Sequence, residues 1–136
     1  MIQIGDVYKH EFSYTQEEVD TFAKVSGDTN PLHVDAEYAA TSMFGKRIMH
    51  GYLGACVFTK IFGTQLYRDG NVYLKQSLVF LKPMYAGQKY EAVITVKEIF
   101  AEKSRILFDT QIFEAGTENL CTTGEAVILN KKQFVW

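Results

Sequence analysis

One apolar segment, residues 51–66, constrains the fold more than any other part of this sequence. Its hydrophobic positions are Leu53, Ala55, Cys56, Val57, Phe58, Ile61, Phe62 and Leu66. On a helix these positions cover nearly the whole circumference, which is typical of a buried helix and not of a surface helix. The segment also contains Thr59, Lys60 and Gln65 and is too short to span a bilayer. We therefore predict a buried helix that the rest of the chain surrounds.

The residues beyond this helix show the pattern of β-strands. Four runs are rich in branched and aromatic residues, and short turn signals separate them. These runs are residues 72–80, 89–100, 104–113 and 120–129. A shorter extended piece, residues 6–14, precedes the helices. Helices first and long antiparallel strands afterwards predict an α+β fold. About five strands should curl around the buried helix, in a single domain, because no repeat or linker divides residues 1–136.

Two shorter helices are predicted before the apolar segment. Thr15 and Glu18 form a capping-box pattern, which marks the start of a helix. That helix should end near Gly27, because glycine suits the position that follows a helix. A second short helix is predicted from Asp35, as its cap, to about Ser42.

Between these two helices, residues 27–35 read Gly-Asp-Thr-Asn-Pro-Leu-His-Val-Asp and carry the candidate chemistry. They place a carboxylate, Asp28, five residues before an imidazole, His33. Pro31 removes a backbone donor and favours an extended conformation at Asn30, so we predict a shaped loop that is not helical. An acid–base pair on a loop, followed by a glycine at the start of a buried helix, indicates chemistry on a carbonyl compound held at that helix end.

These residues also have interpretations that need no chemistry. Asp28 could be an ordinary turn residue whose carboxylate accepts a hydrogen bond from the amide two residues later. His33 taken alone would more often pack against a loop. Asn30 is interpreted mainly as a loop-shaping residue. His50 is predicted to cap or orient the start of the buried helix, and not to act as an acid or base.

Composition argues against several classes of function. The formal net charge is −2 and charged residues make up 22% of the chain, so no nucleic acid or acidic membrane surface is expected as a partner. The two cysteines, Cys56 and Cys121, do not suggest a disulfide framework, and the first residues lack the pattern of a signal peptide. We therefore expect a cytoplasmic protein without membrane association. The three histidines form no metal-ligand pattern, and no metal site is predicted.

Residues 26–35 resemble the signature of the R-specific enoyl-CoA hydratases, which belong to the MaoC-like dehydratases of the hot-dog fold. The resemblance continues in order through residues 39–41 (Ala-Ala-Thr), 48–51 (Ile-Met-His-Gly), 73–80 (Tyr-Leu-Lys-Gln-Ser-Leu-Val-Phe) and 123–127 (Thr-Gly-Glu-Ala-Val). It implies one MaoC-like hot-dog domain over the whole chain, in which an antiparallel sheet wraps a long central helix. It also implies that two subunits pair their sheets and that the active site lies in a tunnel near their interface.

The resemblance implies roles for individual residues. Asp28 and His33 match the catalytic pair, and the backbone amide of Gly51 matches the group that binds the thioester oxygen. Asn30 is counted with the substrate-binding residues. Thr59 occupies a position on the central helix where close relatives have serine, near the substrate. The resemblance implies no metal or redox cofactor, and coenzyme A or acyl carrier protein would carry the substrate as a thioester.

The implied activity is the reversible (R)-specific hydration of trans-2-enoyl-CoA to (R)-3-hydroxyacyl-CoA in fatty-acid metabolism. Two alternatives stay open: dehydration of a 3-hydroxyacyl chain on acyl carrier protein, and a non-catalytic module that binds acyl thioesters. A thioesterase is less favoured because residues 51–66 contain no Asp or Glu to direct water at the thioester carbonyl. A homodimer or a larger homo-oligomer is expected, since a curled sheet of this size leaves an open edge strand.

Overall fold

The computed structural model describes all of residues 1–136 and contains one six-stranded antiparallel sheet with four α-helices. The helices are α1 (Gln16–Ser26), α2 (Pro31–Val34), α3 (Ala36–Ala40) and α4 (Gly51–Thr64). The strands are β1 (Val7–Phe12), β2 (Val72–Gln76), β3 (Val79–Phe80), β4 (Tyr90–Phe100), β5 (Arg105–Glu114) and β6 (Leu120–Leu129). The predicted α+β class and the antiparallel sheet are confirmed.

The sheet packs one of its faces against α4. Its strands follow the order β1-β4-β5-β6-β2, and β3 also pairs with β6. Along most of β4 and β5, buried residues alternate with partly exposed ones, because successive side chains of a strand point to opposite faces. The shared core contains Leu53, Val57, Phe58, Ile61 and Phe62 from the helix and Tyr90, Ile94, Ile106, Phe108, Ile112 and Ile128 from the strands. This apolar layer fixes the position of α4 relative to the sheet.

The central helix α4 begins at Gly51 as predicted and ends at Thr64, two residues earlier than predicted. Its buried residues recur at a spacing of three and four, which defines one face of a helix. Tyr52 and Thr59 are exposed, so the prediction that this helix is buried on nearly all sides is wrong for the isolated chain. Neither α4 nor any other helix has the length and hydropathy needed to cross a bilayer.

Capping side chains and a glycine set the ends of α1 and α3 as the sequence predicts. The Thr15 side chain accepts a hydrogen bond from the Glu18 amide, and the Glu18 carboxylate accepts one from the Thr15 amide. Gly27 ends α1 in the left-handed conformation, with φ of 80°, which glycine adopts without steric cost. Asp35 accepts a hydrogen bond from the Tyr38 amide and caps α3, which is two residues shorter than predicted.

The prediction that residues 27–35 contain no helix is wrong, because Pro31–Val34 forms the single turn α2. Proline takes the first position of this turn, where a helix uses no amide donor, so its missing N–H costs nothing. Asn30 is extended as predicted, with ψ of 129°, and its side-chain oxygen accepts a hydrogen bond from the Leu32 amide. The turn brings His33 back toward the start of the segment.

The predicted strand at residues 72–80 is divided into β2 and β3, which gives six strands in the sheet. The break lies at Ser77, opposite Gly124 of β6. A Cβ atom built on Gly124 would lie 1.8 Å from the Ser77 carbonyl oxygen, so only glycine admits this close approach. The Ser77 amide donates to the Glu125 carbonyl and the Ser77 hydroxyl accepts from the Glu125 amide, at 2.9 Å each. Beyond the break, β3 carries Phe80 to the start of α4.

Candidate active site

Asp28 lies between α1 and α2 and is half exposed. One carboxylate oxygen, Oδ1, accepts a hydrogen bond of 3.3 Å from the Asn30 amide, as in an ordinary turn. The other oxygen, Oδ2, lies 3.6 Å from Nε2 of His33. The turn interpretation and the acid–base interpretation of Asp28 therefore apply to different oxygens of the same carboxylate.

The main chain fixes which nitrogen of His33 carries the proton in the neutral ring. Nδ1 lies 2.9 Å from the Ile48 carbonyl oxygen, which can only accept a hydrogen bond. Nδ1 is therefore the protonated nitrogen, and Nε2 keeps a lone pair on the side of Asp28. The separation of 3.6 Å between Nε2 and Oδ2 exceeds a direct hydrogen bond, and one water molecule can join both groups.

The amide of Gly51 is free to bind a substrate oxygen. Gly51 is the first residue of α4, and neither its amide nor that of Tyr52 donates a hydrogen bond within the protein. The next two amides of the helix bond the His50 carbonyl oxygen. A free amide at the start of a 14-residue helix lies at the positive end of the helix dipole, so it favours an oxygen with negative charge.

Phe80 of β3 covers Gly51. A Cβ atom on residue 51 would lie 2.7 Å from the Phe80 ring, so this close packing requires glycine. The Phe80 side chain is nevertheless 46% exposed, and its ring lies 5.7 Å from the Tyr52 ring. Phe80 therefore forms a wall beside the free amide that can still shift outward.

His33, Gly51 and Phe80 line one cavity of about 370 Å³ whose walls are largely apolar. The remaining lining residues are Phe44, Ile48, Met49, Leu81, Lys82, Pro83, Met84 and Thr122. A second cavity of about 360 Å³ continues from His33 and Gly51 and reaches Asp28 and His50. The acid–base pair and the free amide therefore lie where the two cavities meet. Apolar walls beside a few polar groups are typical of a small-molecule site.

Two of the predicted substrate-binding residues lie away from this point. Thr59 is about two turns along α4 from Gly51, and it lines a separate cavity of about 460 Å³. The isolated chain does not bring Thr59 together with the acid–base pair. Asn30 caps α2 and lines none of these three cavities. The roles of both residues in binding substrate stay predictions.

The contact of His50 with the acid–base pair is the part of this site that the sequence did not predict. His50 occupies the position that precedes α4, but its buried side chain makes no capping bond, so of the two predicted roles, capping or orienting the helix start, the side chain does not perform the first. Instead, Nε2 donates to the Asp28 carbonyl oxygen at 2.9 Å, and the ring stacks on His33 with 3.8 Å between the ring centroids. The one sequence signal for this role was the position of His50 directly before Gly51.

Asp28, His33 and His50 hold metal-ligating atoms within 4.8 Å of one another. Their arrangement does not suit a metal ion. The faces of the two imidazole rings oppose each other, so the nitrogen lone pairs, which lie in the ring planes, do not converge on one point. In addition, Nε2 of His50 carries the proton that it donates to the Asp28 carbonyl. The geometry favours hydrogen bonding over metal coordination.

Among the residues that line the cavity of about 460 Å³, Cys56 and Tyr73 have raised pKa values and stay protonated at neutral pH. Burial raises the pKa of the Cys56 thiol. Burial also raises the pKa of the Tyr73 phenol, whose hydroxyl donates to the Gln76 side chain. Neither group offers an anion as a nucleophile, so the carboxylate and imidazole beside the other two cavities stay the predicted acid–base pair.

Three comparisons relate the chain to known proteins. Residues 2–117 match the family described as MaoC like domain. The (R)-specific enoyl-CoA hydratase of Aeromonas caviae is 37% identical over 127 residues, which cover 93% of this chain and 94% of that protein. The mitochondrial 3-hydroxyacyl-[acyl-carrier-protein] dehydratase of Arabidopsis thaliana is 30% identical over 131 residues, which cover 95% of this chain and 78% of that protein.

The fold also matches a solved structure, the (R)-hydratase from A. caviae involved in PHA biosynthesis. The TM-score is 0.89 at 36% sequence identity, and the match covers 95% of this chain and 97% of the other. A match of this extent leaves only 5% of this chain uncovered. The predicted hot-dog fold is therefore confirmed.

Proposed function

The chain belongs to the MaoC-like domain family, and we propose that it hydrates trans-2-enoyl thioesters of coenzyme A to (R)-3-hydroxyacyl thioesters. It is a hydro-lyase of the (R)-specific enoyl-CoA hydratase type, and its reaction is reversible. One observation carries the proposal: an imidazole with a free Nε2 lone pair, a carboxylate 3.6 Å away and the unbonded Gly51 amide lie at the junction of two cavities. Addition of water to an enoyl thioester requires these groups.

The acid–base pair would activate water and return a proton to the substrate. Hydration forms a C–O bond at C3 and a C–H bond at C2 of the enoyl chain. Asp28 and His33 hold one water molecule between them, and one group takes its proton as the oxygen attacks C3. A proton then reaches C2 from the same side, which makes the addition syn. General acid–base participation of this kind accelerates a reaction roughly 10²- to 10⁴-fold.

The Gly51 amide would stabilise the negative charge that moves onto the thioester oxygen. The amide has no partner in the protein, so it can donate to this oxygen without breaking another bond. One such donor is typically worth about 3 to 4 kcal/mol in the transition state. Glycine also admits the thioester close to the main chain, and the exposed Phe80 ring can move to make room.

A second candidate reaction is the dehydration of a 3-hydroxyacyl chain on acyl carrier protein. The same groups serve this reaction in the opposite direction, and the relative from A. thaliana bears that name. The hydratase from A. caviae is the more similar of the two proteins, which favours coenzyme A as the carrier. The close approach of Asp28 and His33 argues against a binding module that has lost its chemistry.

We infer a homodimer or a larger homo-oligomer from the apolar surface beside the site. Large hydrophobic side chains are exposed on β2, on β3 and next to them: Val72, Leu74, Val79, Phe80 and Leu81. β2 is also an edge strand of the sheet. A second copy on this surface would cover both the edge strand and the exposed hydrophobic side chains. The cavity of about 460 Å³ that Thr59 lines would then lie close to the interface. Light scattering coupled to gel filtration tests this, and a monomer at micromolar concentration would contradict it.

The proposed reaction needs neither a metal or redox cofactor nor an oxidising compartment. Side chains and one amide supply all its proton transfers and charge stabilisation. Dialysis against EDTA is expected to leave the rate unchanged, and a loss that Zn²⁺ or Mg²⁺ restores would contradict this. Cys56 and Cys121 are both free thiols, which fits the reducing cytoplasm that we propose as the location.

The decisive experiment follows the absorbance of the conjugated enoyl thioester when purified protein meets crotonyl-CoA. An (R)-specific dehydrogenase coupled to the product reports its configuration. We expect rapid loss of absorbance with an (R)-product signal, and no such loss with Asp28→Asn. Turnover of enoyl-acyl carrier protein alone would favour the second candidate. Folded protein that turns over neither thioester, at any chain length, would contradict both.

A further inference from the structure

The His50 side chain is placed in a way that packing alone does not explain. It precedes α4, is 4% exposed and gives the helix no capping bond. Its Nδ1 is buried without a hydrogen-bond partner. A buried polar atom without a partner destabilises the folded state, so an apolar residue would serve packing better. The imidazole therefore needs another explanation.

The His50 ring contacts both members of the acid–base pair. Nε2 donates to the Asp28 carbonyl oxygen at 2.9 Å and lies 4.0 Å from Oδ2 of the same residue. The face of the ring stacks on His33 at 3.8 Å between centroids. On another side, Phe22 of α1 packs against the His50 ring at 5.0 Å. Three elements thus hold this ring beside the site.

The bond from His50 is the one hydrogen bond that ties residues 27–30 to any part of the chain beyond residue 35. The other bonds of this segment join neighbours in the sequence. His33 is held differently, because its ring bonds the Ile48 carbonyl and the preceding residue bonds the Ile48 amide. The imidazole of His33 therefore has hydrogen bonds to residues beyond the segment that do not involve His50, whereas the main chain of Asp28 has only one such bond, from His50.

We propose that His50 is a positioning residue that holds Asp28 at its working distance from His33 and from the Gly51 amide, an inference that rests on the proposed function. His50 reaches the acid–base segment through its side chain and adjoins the thioester-binding amide through its own peptide bond. One residue therefore sets the separation between the two halves of the site. A displacement of about 1 Å in a reacting group can cost about 10²-fold in rate.

Two substitutions of His50 distinguish the effect of its hydrogen-bond donor from the effect of its stacked ring. His50→Phe keeps a ring that can stack on His33 and removes the donor. His50→Gln places its side-chain nitrogen as many bonds from Cα as Nε2, and so restores a donor without the ring. We expect kcat for crotonyl-CoA to fall about 10- to 100-fold in the Phe variant and to stay within about 3-fold of wild type in the Gln variant, with KM little changed in both. Wild-type kcat in the Phe variant, or equal losses in both, would overturn the inference.

Hydrogen–deuterium exchange distinguishes a failure of this inference from a failure of the proposed function. Amides of residues 27–30 should exchange faster in His50→Phe than in wild type and in His50→Gln, while those of β4 stay unchanged. If wild type hydrates no thioester, the proposed function fails, yet this exchange still decides whether His50 holds the segment. Unchanged exchange at residues 27–30 in the Phe variant, or faster exchange throughout the sheet, would overturn the inference.

Discussion

The two ends of α4 are built in opposite ways, and at the C-terminal end two asparagine side chains make all their hydrogen bonds within the protein. Asn71 donates to the carbonyl oxygens of Phe62 and Leu66 at 2.8 and 2.9 Å. Asn130 is fully buried and donates to Asn71 at 2.8 Å and to the Asp69 carbonyl at 3.0 Å. Its side-chain oxygen accepts two further main-chain amides. All side-chain polar atoms of the two asparagines therefore have partners.

At the N-terminal end, several polar groups have no partner. The amides of Gly51 and Tyr52 are unbonded, and Nδ1 of His50 is buried alone. The carboxylate of Asp28 and the imidazole of His33 lie 3.6 Å apart, which leaves room for a bridging water. The hydrogen-bonding capacity of the two amides, the carboxylate and the His33 ring is therefore available to molecules from outside the chain, whereas Nδ1 of His50 is enclosed.

The contrast shows how one helix serves both stability and chemistry. Unsatisfied polar groups destabilise a fold, and those at the N-terminal end of α4 lie beside two cavities. At the opposite end, Asn71 bonds the end of the helix and the buried Asn130 bonds Asn71, so fully bonded polar groups hold the helix in place. Substitutions at the N-terminal end should therefore change the rate, and substitutions at the C-terminal end should change the free energy of unfolding.

The largest effect is expected for Asp28→Asn. The substitution keeps the turn but removes the charge, so kcat for crotonyl-CoA should fall roughly 10²- to 10⁴-fold. Because Asp28 is half exposed, thermal melting should change little. Asp35→Asn is the matched control, since asparagine caps a helix as well as aspartate does and kcat should stay at the wild-type value. If Asp28→Asn instead unfolds the protein, the division of roles between the two ends is wrong.

A large effect on stability, and none on the rate, is expected for Asn130→Ala. The change removes a fully buried amide and leaves its four bonded groups without that partner, so the free energy of unfolding should fall by about 2 to 4 kcal/mol. Urea denaturation measures this, and kcat of the folded fraction should be unchanged. Asn119→Ala, in the exposed turn between β5 and β6, is the control, with an expected change of at most about 0.5 kcal/mol. Equal losses in both variants would contradict the comparison.

A partial effect on the rate is expected for Gly51→Ala. The amide remains, but the new Cβ would lie 2.7 Å from the Phe80 ring and force it aside. We expect kcat/KM to fall about 10-fold, and more for bulky acyl chains, because one misplaced wall perturbs the bound geometry. Gly63→Ala on the same helix has no atom within 4 Å of its new Cβ and should leave kcat/KM unchanged. If Gly51→Ala shows the same preference for acyl chain length as wild type, Phe80 does not contact the acyl chain.

The smallest effect on the free energy of unfolding is expected for Lys132→Ala, near the C-terminal end of α4. Lys132 forms an exposed ion pair with Asp69 at 3.3 Å. Exposed pairs of this kind contribute about 0 to 1 kcal/mol, and salt screens them. Urea denaturation at low and high ionic strength should therefore show a small loss that disappears with salt. A loss of stability comparable to that of Asn130→Ala would mean that surface charge, and not the side-chain amides of Asn71 and Asn130, stabilises the C-terminal end of α4.

The fold was predictable wherever the pattern acts over a few residues. The caps at Thr15 and Asp35 begin α1 and α3, and apolar spacing identifies α4, because these signals are local. The break between β2 and β3 was not predictable, since it depends on the approach of Ser77 to Gly124 on another strand. The turn α2 was missed for a different reason: the same proline that disfavours helix before it is well suited to start one.

The candidate site was predictable to a similar extent. Asp28 and His33 lie five residues apart and meet through a single turn, so the sequence could associate them. Gly51 could also be identified from the sequence, because it is the first residue of a strongly apolar helix. The contact of His50 with Asp28 spans 22 residues and depends on how α1 and α4 pack, which no local pattern encodes. Thr59 lies on the predicted helix, but its distance from the pair depends on the tertiary structure.

Gly124 touches no reacting group, yet it bears on which substrates the cleft admits. Because it has no side chain, the Ser77 main chain rests against β6, and the next residues set the Phe80 ring over Gly51. A larger residue at position 124 would collide with the Ser77 carbonyl and displace the segment that leads to Phe80. The shape of the cavity beside Gly51 therefore depends on a residue of the sheet that does not line it.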